Sequence, residues 1–346
     1  MTPLNIDIKK CRYHALIGVG GIGSGKFFAL LGNDTLGREE SRPGYFIDRK
    51  DYCKLHIAAH YVKVLLGPDF SVLPVGKVGD DDAGRELVQE MQEVGLDLKY
   101  VERCPGYQTL YSFCFIYPDG SGGNLTTADS ACSQVDARSV EEVREDFSRF
   151  SGHGIALAMP EVPLKARERL IQLGSEHAFF CVGSFVSDEM KSVVKSDMLK
   201  QVDLLALNID EAAAAVEMST EEKPALEIVE QSIKELNTVN PGMFISITAG
   251  KQGSWSYDGS SLTHIPGIEV QAKSTAGAGD AHLSGLIAGL TAGLSLSQAQ
   301  EIANLSAALS VESEHTINKD IDGLALREFA QSRQVKICEE VRELLI

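Results

Sequence analysis

The chain has 346 residues, 44% of them hydrophobic and 23% charged, and a formal net charge of −17. That length and balance suit a folded protein with a sizeable core and exclude disorder over most of the chain. The negative charge disfavours a nucleic-acid partner, but not a nucleotide, because local N–H groups and a metal can hold its phosphates against the global field.

Residues 14–19 (HALIGV) read as a short buried strand, and the glycines Gly18, Gly20, Gly21 and Gly23 as a turn of close backbone approach. Residues 70–78 (FSVLPVGKV) read as a second strand. Leu87, Val88, Met91 and Val94 then recur at helical spacing over 81–94, and Gly95 stops that helix. Residues 110–117 (LYSFCFIY) read as a strand, closed by the turn signal Pro118-Asp119-Gly120. From residue 135 helices and strands alternate. The helices fall over 139–150, 164–174, 188–201 and 225–237, and the strands over 154–159, 178–183, 203–208 and 243–249. This alternation predicts an α/β fold, with a mainly parallel sheet covered on both faces. A hairpin follows over 254–265 around Asp258-Gly259. Helices are expected over 278–293 and 296–312, with an amphipathic tail helix over 324–345. Two stretches break the alternation: 32–50, polar and Gly-rich, and 104–127, a strand flanked by turns. They are expected to form a small β lid, from about 33–49 and 106–127, on a single domain spanning 1–346.

The seven cysteines are odd in number and show no C-x-x-C spacing. They read as reduced thiols, with no zinc site. No apolar run reaches the ~18 residues of a spanning helix, and residues 1–12 lack a signal-peptide core. A cytoplasmic protein without a membrane partner is expected.

The strongest motif is Ser274-Thr275-Ala276-Gly277-Ala278-Gly279-Asp280-Ala281, which runs into an apolar helix. Small residues let a backbone approach a phosphate, and N–H groups at a helix N-terminus attract the anion. A carboxylate beside such an anion hole can deprotonate a hydroxyl as it attacks phosphorus. The plain alternative is that Asp280 only opens a helix.

Gly277-Ala278-Gly279-Asp280 is similar to the signature of the ribokinase / phosphofructokinase B (PfkB) family of carbohydrate and nucleoside kinases. The resemblance implies a three-layer α/β/α sandwich, ATP and Mg²⁺ as cofactors, and a small-molecule acceptor. It also implies that Asp280 is the catalytic base and that Gly277, Ala278 and Gly279 hold the transferring phosphate. Asn208-Ile209-Asp210-Glu211 resembles the family's N-x-x-E motif, which places Asn208 near the phosphates and Glu211 near magnesium. A helix cap with a first-turn Glu is the alternative there. Thr248-Ala249-Gly250-Lys251-Gln252-Gly253 resembles the nucleotide loop, giving Thr248, Gly250 and Gly253. Asn304 and Ala307 fall where the family lines its adenine pocket. Val75 to Gly84 and the strand after Thr109 resemble the family's turn and lid strand, so the likeness spans about 62–313. The lid is also a candidate homodimer surface.

The first sixty residues depart from the family, which has an Asp ending its first strand and a Gly-Gly pair before a later helix. Here those places hold Gly18-Val19-Gly20-Gly21 and Asp51-Tyr52-Cys53-Lys54, so the acceptor is not inherited. Ser274 replaces an Asp that helps hold a monovalent cation, so the resemblance carries no potassium requirement to this chain. Candidate acceptor groups are Gly20, Gly21, Asn33, Asp34, Arg38, Glu39 and Arg42, with Asn124 and Thr127 behind them. The paired arginines suit an anionic group, or else a solvated lid surface. Two competing motifs overlap at the start. Gly18, Gly20 and Gly23 match a dinucleotide fingerprint, as an NAD-linked oxidoreductase would need. Gly20 to Lys26 matches a P-loop except that Phe27 replaces its hydroxyl residue. A nucleotide-binding protein without turnover is the third reading.

Overall fold

The computed structural model describes residues 1–119 and 122–345; Gly120 of the expected turn lies outside the described residues. The chain opens with β1 (Ala15–Val19), whose five residues are all buried. Then follow β2 (Gly23–Leu30), β3 (Gly44–Tyr52), α1 (Lys54–Leu66), β4 (Ser71–Gly79), α2 (Asp82–Glu93), β5 (Val101–Cys104), β6 (Leu110–Ile116) and β7 (Gly122–Thr126). The alternating part comprises α3 (Ala137–Glu141), α4 (Arg144–Arg149), β8 (Gly154–Ala158), α5 (Leu164–Glu176), β9 (Phe180–Ser184), α6 (Ser187–Val194), β10 (Leu204–Asn208), α7 (Ile209–Ala215), α8 (Ala225–Val239) and β11 (Phe244–Thr248). The hairpin is β12 (Ser254–Tyr257) and β13 (Leu262–Ile265). After it come α9 (Ala278–Thr291), α10 (Leu296–Ser310), α11 (Gly323–Ser332) and α12 (Glu339–Leu344).

The main sheet has the order β13-β12-β11-β10-β9-β8-β1-β4-β5. From β5 to β11 every pairing is parallel, and only the hairpin runs antiparallel. One apolar layer gathers α1, α2 and α9 to α12 against the sheet, and the other gathers α3 to α8. This is the expected sandwich. Gly285 and Gly289 bring α9 onto α10, since a Cβ on either would stand 2.7 Å from the backbone of Ala303 or Ala299.

A second sheet, β3-β2-β6-β7, forms the lid. Its bounds correct the expectation of a lid from about 33–49 and 106–127, because 23–30 is also one of its two inner strands. Gly23 reads as the end of a turn in sequence, and Gly25 follows it. In the fold they allow a close strand approach: a Cβ on either would fall 2.5 or 2.3 Å from a carbonyl of β6. Residues 31–43 only connect β2 to β3. This strand also overturns both competing motifs. A dinucleotide fingerprint and a P-loop each need a helix after the glycines, and here a strand follows. Lys26 lies exposed on β2, so Lys26→Ala is expected to leave the ATP Michaelis constant within about threefold, well inside the 1.4 kcal/mol of a tenfold loss. A hundredfold rise in steady-state assays would contradict this.

Three helices are shorter than expected. The 139–150 segment breaks into α3 and α4, with Asp136 capping the first through Arg138 and Ser139 N–H. The 188–201 helix ends at Val194, and a 3-10 turn covers Asp197–Gln201. The tail splits into α11 and α12. Among the described residues no helix is long and apolar enough to cross a membrane.

Candidate active site

The parallel strands deliver Ser184, Asn208 and Thr248 from their C-terminal ends to one cleft, the usual ligand edge of such sheets. The opposite wall is the start of α9, with Gly279, Asp280 and His282, and Lys54 from the start of α1 completes it. The sequence-predicted Asp280, Gly279, Asn208, Glu211 and Thr248 thus meet in one place.

Gly277 caps α9 with a left-handed φ of 81°, which glycine adopts without strain. A side chain there would also collide with Thr316 O, 2.6 Å from a built Cβ. Ala278 N–H is used by Thr275 O, and the first intrahelical bond is Ala281 N–H to Gly277 O. The helix has no side-chain cap, so Gly279 and Asp280 N–H are its open donors. Open space lies beside the Gly279 α-carbon. A 14-residue helix therefore points uncapped donors and its positive end into the cleft.

Asp280 is buried in the first turn, with Lys54 Nζ 4.0 Å from its Oδ1. Burial raises its carboxyl above the ordinary range, Lys54 opposes that, and the Asp51 charge adds to it. Lys54 is held in its charged form chiefly by Asp280, with help from Glu161 and Glu211. Burial pushes Glu211 up to about 7, against the Asn208 N–H and Lys54. Glu161 is pushed up to about 7 in the same way, against Lys54. Four carboxylates, Asp51, Glu161, Glu211 and Asp280, thus face one ammonium.

Asn208 and Glu211 form a capping box: each backbone N–H donates to the other's side chain at 2.8 Å. The cap and the site role coexist, because the box engages only one oxygen of Glu211. Gly250 and Gly253 shape the turn after β11, with φ of 53° and 91°. Asn304 is buried on α10, where its Oδ1 accepts the Ser254 hydroxyl at 2.7 Å and its Nδ2 donates to Ile265 O. It thereby ties the hairpin to α10, one turn before the half-buried Ala307.

The lid underside carries Asp51, Ser112, Cys114 and Asn124. Ser112 donates to Asn124 Oδ1 at 2.7 Å, and the Cys114 thiol donates to Asp51 at 3.4 Å. Asn124 is therefore part of the roof. Asn33, Arg38 and Arg42 are not. They lie beyond Leu30, seven strand residues from Gly23, on the order of 20 Å away at the lid tip. Arg42 pairs there with Glu40 and Asp34, Asn33 accepts Asp119 N–H, and Arg38 is exposed. Gly20 and Gly21 are buried, and their close contacts are Met159, Leu55 and Glu161 rather than open cleft.

Sequence reasoning did not single out Lys54, Asp51, Glu161 or His282. Lys54 did carry a signal: a basic residue opening a helix opposes the helix dipole, and its N-cap, Cys53, makes no side-chain cap bond.

Fold and cleft together define a ribokinase-like phosphotransferase architecture. Residues 58–322 match the pfkB family of carbohydrate kinases, and the chain belongs to that family. It is 24% identical over 253 residues, 73% of this chain and 78% of the relative, to an ATP-dependent ribose-1-phosphate kinase of Halopiger xanaduensis. It is 26% identical over 241 residues, 68% of this chain and 80% of the relative, to a fructoselysine 6-kinase of Shigella flexneri. In fold it is similar to a ribokinase of Cryptococcus neoformans in complex with ADP, with a TM-score of 0.76, 19% identity, and coverage of 91% of this chain and 99% of that one. A nucleoside kinase of Burkholderia thailandensis in complex with inosine aligns with a TM-score of 0.70 and 14% identity over 91% of this chain and 98% of that one.

Proposed function

We propose that this kinase transfers the γ-phosphate of ATP to a hydroxyl of a small sugar-like or nucleoside-like acceptor, with Asp280 as the base. The observation that carries the reading is the buried Asp280 carboxylate standing beside the open N–H groups of its own helix. The acceptor oxygen forms a bond to phosphorus as the bond from phosphorus to the bridging oxygen of ADP breaks. Asp280 takes the hydroxyl proton. The N–H groups of Gly279 and Asp280, with Lys54, stabilise charge on the transferring group. A protein that only bound nucleotide would gain by losing Asp280, because its charge repels the phosphates.

Thr248, Gly250, Gly253, Asn304 and Ala307 form the nucleotide side, and Asn208 borders the phosphates. A magnesium ion fits the donor set. Glu211 is a buried carboxylate that, among the described residues, makes no ion pair within 4 Å and feels Lys54 only at longer range, and Mg²⁺ takes one or two carboxylates alongside phosphate oxygens and water. Glu211 would hold it, and the ion would supply charge neutralisation on the phosphates. Among the described residues no cluster of three His, Cys, Asp or Glu forms a metal cage, so any magnesium would rely on the nucleotide for ligands. The relatives' names differ in acceptor charge, so they do not fix the acceptor. ADP release across an acceptor panel with Mg·ATP tests the reading. No release above the rate with water alone would reject it.

A second observation supports a homodimer through the lid. Register places Phe28, Phe46, Phe113, Phe115 and Leu125 on one face of the lid, opposite Asp51 and Ser112. Phe28, Phe46 and Phe113 form one aromatic cluster, yet Phe46 and Leu125 are 60% and 61% exposed. Such a patch suits a self-complementary interface. Light scattering is expected to show a dimer that Phe46→Asp with Leu125→Asp converts to a folded monomer. A wild-type monomer at micromolar concentration would reject the dimer.

A further inference from the structure

Among the described residues, four histidines bury a ring nitrogen that meets no hydrogen-bond partner: His14, His56, His60 and His282. Of these, only His282 borders the cleft. It sits on α9 with 2% of its surface exposed, three residues after Gly279 and so on the same helix face. Helical side chains lean toward the N-terminus of their helix, and here that end carries the open Gly279 and Asp280 N–H groups. The strands opposite supply Ser184, Ala206 and Ser246. They are small and mostly polar, so the ring faces a polar gap rather than an apolar slot. A histidine that only filled the core would leave Nε2 unsatisfied, at the full cost of a buried polar group.

The ring is also braced from the nucleotide side. The Ser256 hydroxyl donates to Gln300, Gln300 Nε2 donates to Ser254 at 2.8 Å, and the Ser254 hydroxyl donates to Asn304 Oδ1 at 2.7 Å. All four residues are buried, and Asn304 stands beside the His282 ring. A satisfied buried chain of this kind holds its members rigidly. Burial pushes the imidazole down to about 4, against the Asn304 amide. The ring is therefore neutral at pH 7 and keeps one donor and one acceptor nitrogen.

We propose that His282 binds the nucleotide, its Nε2 donating a hydrogen bond to a phosphate of ATP that stays behind on ADP. This inference rests on the kinase reading above. The γ-phosphate belongs at the open N–H groups of Gly279 and Asp280. His282 lies one turn deeper, toward Asn304, where the remaining phosphates follow. A neutral donor there satisfies a phosphate oxygen without adding a charge to the cleft.

The test measures binding of ATP, ADP and adenosine, each with Mg²⁺, to the full-length protein by calorimetry, together with melting in the absence of ligand. His282→Phe keeps the bulk of the ring and removes its nitrogens. It is expected to weaken ATP and ADP about tenfold, the scale of one hydrogen bond to a charged group. Adenosine affinity and the acceptor's KM should stay within twofold. The unliganded variant should melt at or above the wild-type temperature, because an unsatisfied buried group is gone. A histidine with a purely structural role would give the reverse, a lower melting temperature with unchanged ADP affinity. His282→Gln carries an amide nitrogen near the position of Nε2 and should recover most of the ADP affinity. His282→Asn is too short to do so, and it carries the test if the Phe variant fails to fold. Unchanged ADP affinity in a folded His282→Phe or His282→Asn overturns the proposal and leaves the kinase reading intact. So does an equal loss for adenosine, which would assign the contact to the nucleoside. A wild-type protein that binds neither ATP nor ADP rejects the kinase reading, and the proposal with it.

Discussion

Asp280→Asn is expected to lower kcat at least about a hundredfold, the lower end of what a positioned base contributes. A hydroxyl is a poor nucleophile, and Asn keeps the shape of Asp but cannot take the proton. ATP affinity should hold or improve, because a negative charge beside the phosphates is removed. The fold should survive as well. Asp280 does not cap α9 through its side chain, since Gly277 holds the N-cap position without a side-chain bond. The sign of the stability effect follows from the raised carboxyl. Its folded value lies above its unfolded one, so ionisation costs stability as pH rises through that window. Asn carries no such cost, and the variant should melt at or above the wild-type temperature at pH 7. A folded variant that keeps its kcat would make Asp280 an ordinary helix-start residue.

Lys54→Met is expected to cost about 10²–10³ in kcat, the scale seen when one preorganised donor to developing charge is lost. Methionine keeps the apolar stem but removes the ammonium that faces Asp280, Glu161 and Glu211. The acid limb of the kcat profile should move as well. Lys54 is what pulls the Asp280 carboxyl down against burial, so without it that value rises. The base must be ionised to act, so the acid limb shifts to higher pH. Lys54→Arg, which keeps the charge in a bulkier head, should recover part of kcat and return the limb toward its wild-type position. An unshifted limb with wild-type kcat in Lys54→Met would remove the lysine from the chemistry.

The C-terminal half was legible because its signals are local and agree. Apolar strands such as LLALN and FISIT end in Asn208 and Thr248, and each is followed by capping or turn residues at fixed spacing. The proposed anion hole is a local signal too, since small residues, a helix start and a carboxylate are contiguous at 277–280. The acceptor side depends on contacts distant in sequence. Glu161 reaches the site because Gly21 leaves it room, and Lys54 because α1 starts beneath the lid. Neither dependence leaves a periodic trace. The lid misled for a related reason. Gly23 reads as a turn residue, but it and Gly25 serve a tight β2–β6 approach, and β3 alternates too weakly to announce a strand. Arg38 and Arg42 looked like anion ligands on spacing alone, yet strand length carries them to the far end of the lid.

The most direct measurement is single-turnover transfer of the labelled γ-phosphate from ATP, in rapid quench, using an acceptor that supports ADP release. Wild type and Asp280→Asn would be compared, with ATP binding measured on the same preparations. The expected result is transfer of label to the acceptor in wild type. In the variant the label stays on bound ATP over the same interval, with an unchanged or tighter ATP dissociation constant. Transfer at the wild-type rate by a folded, ATP-bound Asp280→Asn enzyme would contradict the assignment of Asp280 as the base.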